Sequence, residues 1–93
     1  MSLLDYGVPR EEQERLYSRC KSQDDEDKET LMQCVKSSAP GLESYIYDSL
    51  ANGKSYDVIN KKRYIPAKID DFYAYRRKAA AEFYRILKLC GRW

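Results

Sequence analysis

A chain of 93 residues with 43% hydrophobic and 34% charged residues can bury enough surface to fold as one soluble domain, residues 1–93, without disulfides or a structural metal. Its formal net charge of +2 conceals a sorted chain: residues 1–53 hold 6 Lys+Arg against 11 Asp+Glu, a net of −5, while residues 54–93 hold 11 against 4, a net of +7. With no histidine, three cysteines, four isolated glycines and no run near the roughly 18 apolar residues of a membrane span, the sequence speaks against zinc, imidazole-assisted catalysis, a phosphate loop and membrane insertion.

Apolar spacing at a period of 3.6 dominates, and Pro and Gly fall where helices would start and stop, so the expected fold is all-α, a small bundle of about five helices. The first helix is predicted from Pro9 to about Lys21, with Leu16, Tyr17 and Cys20 on one face and Glu11, Glu12 and Glu14 near its positive end. The second runs from Asp24 or Asp25 to Ser38, with Leu31, Cys34, Val35 and Ser38 in register. Its leading stretch Asp24-Asp-Glu-Asp27 reads as solvated charge in a polar linker. Ala39-Pro40-Gly41 stops it, and a third helix over residues 42–52 carries Leu42, Tyr45, Ile46, Ser49 and Leu50 before Asn52-Gly53. Ser55 caps a fourth helix ending at Lys62, with Tyr56 and Ile59 inward and Val58 as a further candidate for that face. A turn over residues 63–68 contains Pro66.

The last helix is the longest. Asp70 is its expected N-cap, with Ile69 packing as a staple. Phe72, Ala79, Phe83, Ile86, Leu87 and Cys90 lie within about 60° of one direction and form the expected core stripe. Cys20, Cys34 and Cys90 all read as reduced thiols packed in the core, since free cysteine behaves as a small buried hydrophobe. Tyr73, Arg77, Tyr84 and Lys88 form a second stripe, beside Ala80 and Ala81. A solvated, solubilising face is the plain account of that stripe. Its pairing of Arg with Tyr favours a nucleic-acid surface instead, because Arg binds phosphate or guanine in bidentate fashion and Tyr donates to phosphate while packing on sugar.

An enzyme is not expected. The carboxylate pairs that acid–base work would need, Asp70-Asp71 and the group from Asp24 to Asp27, fall at a helix start and in a linker. No cofactor and no metal is expected, and the N-terminus carries neither the basic region nor the apolar run of a signal peptide, so the expected location is the cytoplasm.

The run Gly53-Lys-Ser-Tyr-Asp-Val-Ile59, the turn with Ile65-Pro66, and then Ile69-Asp-Asp-Phe-Tyr-Ala-Tyr-Arg-Arg-Lys-Ala79 with its apolar tail resemble the helix-turn-helix of small phage and prophage transcriptional regulators. The ArpU and RinA types and sigma-factor region 4 are the families meant, and the likeness covers less than half of the chain. It implies that residues 55–62 form the supporting helix and that the helix from Asp70 onward enters the major groove. By the same resemblance Tyr73, Arg76 and Arg77 would read bases or phosphates, and Lys68 would contact phosphate near the helix start. Lys54, Lys61, Lys62, Arg63 and Lys68 would dock the motif electrostatically. Tyr84 and Lys88, from the second stripe, complete the candidate surface.

The expected function is therefore a non-catalytic DNA-binding regulator, with duplex DNA as leading partner, residues 1–53 as an acidic helical part and residues 54–93 as a basic helix-turn-helix-like part. A homodimer on two half-sites, and a polymerase or other protein contact through the acidic helices, stay open. So do single-stranded nucleic acid, suggested by nine tyrosines, and a protein-interaction module that binds no nucleic acid.

Overall fold

Each helix boundary has a local cause. In the computed structural model, which describes residues 2–22 and 24–93, the helices are α1 (Arg10–Lys21), α2 (Asp25–Ser38), α3 (Glu43–Asn52), α4 (Tyr56–Lys62) and α5 (Ile69–Leu89), and no strand occurs among the described residues. Pro9 is the N-cap of α1 rather than its first helical residue, and Glu11 and Glu12 face the partial positive charge of the first turn. The Asp24 carboxylate caps α2 by accepting from the Asp27 N–H at 2.8 Å. Ser55 Oγ caps α4 by accepting from the Val58 N–H at 3.3 Å.

Gly53 closes α3 at φ 66°, in the left-handed region that only glycine enters without strain, and a Cβ there would stand 3.1 Å from Lys21 Cδ. Gly53→Ala is therefore expected to lower stability by about 1–2 kcal/mol in urea titration. An unchanged midpoint would contradict this turn geometry.

Three expectations about α5 need correction. Its N-cap is Lys68, not Asp70, because the first helical bond runs from the Phe72 N–H to the Lys68 carbonyl at 2.9 Å. Asp70 and Asp71 consequently lie inside the first turn, where the dipole favours them without a side-chain cap. The buried face is also wider than the expected stripe: Phe72, Ala79, Ala80, Ala81, Phe83, Tyr84 and Leu87 are all buried, and Ile86 only half so. Cys90 is exposed, because α5 has ended and residue 90 points past the bundle.

The reason for the wide face is position. α5 packs against all four other helices, as α3 also does, and its contact with α2 is the most extensive in the bundle, so neighbours cover more than one of its sides. Residues from both the acidic and the basic half enter one apolar cluster, including Leu16, Leu31, Ile46 and Leu50 from the first and Ile59, Ile65, Phe72 and Phe83 from the second. Cys20 and Cys34 are in it, and burial pushes their thiols up to about 12 and about 11, which leaves both protonated and unreactive.

The acidic linker is likewise more than solvated charge. Asp27 is 2% exposed, and Arg19 donates to it from Nε at 2.7 Å and from a terminal nitrogen at 3.3 Å. Arg92 donates to the same carboxylate and lies 3.5 Å from both Asp24 and Glu26, so the segment after α5 is clasped to the start of α2. In the sequence Asp27 reads as solvated charge in a linker; the two arginines supply the charge that lets it turn inward.

Candidate nucleic-acid interface

The expected residues spread along α5, with Lys68 at its start, Tyr73, Arg76 and Arg77 in its N-terminal half, and Tyr84 and Lys88 near its C-terminal end. A helix of this length spans about 30 Å at ~1.5 Å per residue, so Lys68 and Lys88 do not share one compact patch.

Most of the α5 stripe is engaged inside the protein. The Tyr73 hydroxyl accepts from the Tyr56 N–H at 3.1 Å, and its ring stands edge-on to Phe72 with centroids 5.3 Å apart. Arg76 turns inward, donating from Nε to Ser49 Oγ at 2.8 Å with its guanidinium 4.7 Å over the Tyr17 ring. Ser49 passes the link on by donating to the Lys54 carbonyl at 2.6 Å. Arg77 is half-buried, and its charge, like that of Arg76, acts on the Tyr17 hydroxyl, whose pKa burial nevertheless raises.

Tyr84 departs most from expectation. It is 5% exposed; its hydroxyl donates to the Glu12 carboxylate and accepts from Lys88 Nζ at 3.3 Å, and its ring meets Trp93 edge-on at 4.9 Å. α1 and the residues after α5 cover the side of α5 that carries it, and a helical wheel cannot show which neighbours arrive there. Of the stripe, Lys88 remains exposed.

The Tyr84 hydroxyl holds the Glu12 carboxyl below its ordinary range. A carboxylate with a depressed folded pKa contributes stability above its unfolded pKa, and loses it as pH falls through the folded value. Tyr84→Phe should therefore melt below the parent at pH 7, with the gap narrowing toward pH 3. A gap of constant size in thermal melts at both pH values would count against this pairing.

The remaining candidate cations belong to α4 and the turn that leads into α5. Lys61 and Lys62 form the last turn of α4, Arg63 follows, and Lys68 precedes α5; all four are exposed. No ion pair is found for Lys61, Lys62 or Lys68 among the described residues. Arg63 is held at the α3 side: its guanidinium lies 4.7 Å over the Tyr45 ring, donates to Ser44 Oγ at 3.3 Å and approaches Asp48 Oδ2 at 3.7 Å. Lys54 Nζ stands 3.5 Å from the other Asp48 oxygen. Of these groups Asp48, Lys54, Lys62 and Arg63, with Val58 and Ile59, line a cavity of about 200 Å³.

Two features of this region were missed in the sequence. Tyr64 is 79% exposed in the middle of the basic turn, and Val58 and Ile69, expected on the inward face and as a staple, are instead exposed at 49% and 46%, Ile69 because it opens α5 after the Lys68 cap and does not precede the cap. An aromatic between Arg63 and a Pro66-bearing turn was the available signal for Tyr64, since such a turn has no face to bury it. Asp48 carried little signal, because its two cations, Lys54 and Arg63, reach it from outside α3, and only the Asn52 amide four residues on is within helical spacing.

Among the described residues no group of three or more Cys, Asp or Glu side chains is placed to hold a metal ion, and no helix is long and apolar enough to cross a membrane. Comparison with protein families, with curated proteins and with solved structures finds no match to this chain.

Proposed function

We propose that this protein is a non-catalytic DNA-binding protein of the phage or prophage regulator kind, and that it docks on duplex DNA with α4 and the turn that follows, in place of the α5 stripe. The observation that carries the reading is the set of exposed Lys61, Lys62 and Lys68, without an ion pair among the described residues, in the segment that carries the protruding Tyr64. Cations not satisfied by the chain's own carboxylates are the ones able to displace counterions from a phosphate backbone. Tyr64 can add a hydroxyl donor to phosphate and a flat face against sugar.

The same geometry argues against α5 as a helix that reads bases. Arg76, Tyr73 and Tyr84 would have to abandon internal partners, and Asp70 and Asp71 lie exposed at the end that would enter the groove. Backbone docking, with little sequence preference, is the mode that the remaining cations support.

The test is fluorescence anisotropy with a labelled duplex across a salt series. Affinity should fall linearly on a log–log plot, and Lys61→Ala/Lys68→Ala should reduce the slope by about 2, since each lost phosphate contact removes ~0.9. Absence of duplex binding at low salt would remove the reading. A second reading is favoured by the exposed Val58, Tyr64 and Ile69, an apolar surface beside lysines that also suits an acidic protein partner. Under that reading no duplex or single strand shifts the anisotropy at any salt.

A further inference from the structure

Resting on the duplex-DNA reading above, the geometry points to a specific seat for one backbone phosphate: the cavity between α3 and α4, where the phosphate takes from Asp48 the two cations that this carboxylate holds in the free protein. The cavity of about 200 Å³ equals several water volumes of ~30 Å³ each, room for a phosphodiester group. Three of its six lining residues are cations, Lys54, Lys62 and Arg63, against the single carboxylate of Asp48. Val58 and Ile59 form an apolar wall, which lowers the local dielectric and strengthens whatever anion enters.

Asp48 occupies this set loosely. Its contacts to Lys54 and Arg63, 3.5 and 3.7 Å, are longer than the ~2.7–2.9 Å of a tight charged hydrogen bond, and both cations keep more than two-fifths of their side-chain surface in solvent. Exposed pairs of this kind are worth little and exchange readily. Arg63, meanwhile, is already oriented by the Tyr45 ring and Ser44, so a phosphate meets a guanidinium fixed in one plane. Asp48 is thus a built-in competitor for the site, itself steadied by the Asn52 amide, which donates to it at 2.6 Å.

Asp48→Asn keeps an acceptor for Asn52 and removes the competing charge. In the 93-residue chain, with a labelled duplex of about 16 base pairs, it should tighten binding about three- to tenfold at low salt and steepen the salt slope by about one, as one more cation becomes available. Asp57→Asn makes the same change in net charge on exposed α4 surface without freeing a cation; its gain should be smaller and its slope that of the parent. In a double-mutant cycle, Arg63→Ala should erase most of the Asp48→Asn gain. Equal gains from Asp48→Asn and Asp57→Asn, or a gain that survives Arg63→Ala, overturn the phosphate seat. If Lys61→Ala/Lys68→Ala still weakens binding in that case, the seat alone has failed. If the parent protein does not bind the duplex, the DNA reading has failed and the seat falls with it. Thermal melts of each variant establish that it is folded.

Discussion

Phe83→Ala should lower the unfolding free energy by about 3–5 kcal/mol, the range for deleting a fully buried ring from a packed interior. Phe83 has no exposed surface and sits on α5, the helix that every other helix covers, so no single wall can collapse inward to fill the void. For a domain with an ordinary total of about 5–15 kcal/mol, that loss takes a large share of the stability. Chemical denaturation followed by far-ultraviolet circular dichroism would measure it. A loss near 1 kcal/mol would mean that this face of α5 is not the centre of the bundle.

Asp27→Ala should cost about 2–4 kcal/mol, by a different mechanism. The carboxylate is buried and accepts from both Arg19 and Arg92, so its removal takes the bidentate partner from Arg19 and the most buried of three carboxylates from Arg92. The arginines retain about a quarter of their side-chain surface in water, which holds the expected loss below that of a fully enclosed pair. Hydrogen exchange gives the discriminating measurement. Protection should fall first at the start of α2 and at the end of α5, which the clasp joins; a uniform loss across the bundle would point to general destabilisation in its place.

The five helices were legible because their punctuation is local: Pro9, Asp24, Gly53, Ser55 and Pro66 act on the residues beside them. The depth of each helix was less legible. Periodicity gives the direction of an apolar stripe but not how many neighbours surround it, and α5 was read with one covered face when its neighbours reach further round. Tyr84 illustrates the error: its spacing placed it with Arg77 and Lys88, and only the arrival of Glu12 and Trp93 turns it into an interior residue. Charge sorting was visible in the sequence, yet its meaning depends on cross-helix pairs. Asp27 with Arg92, and Asp48 with Arg63, neutralise part of each half, and no spacing rule links residues so placed. The candidate surface was legible where the chain is locally committed to solvent, at Lys61, Lys62 and Lys68.

The central place of α5 also bears on how the molecule is made. Synthesis delivers α1, α2 and α3 before α5, so a nascent chain stopped at Gly53 can pack α3 on α1 and α2 but leaves the sides of all three helices that meet α5 open to water. Such a stalled fragment should be protease-sensitive and prone to chaperone capture. Supplying residues 54–93 as a separate peptide should restore helicity and resistance together, because each piece is the missing interior of the other.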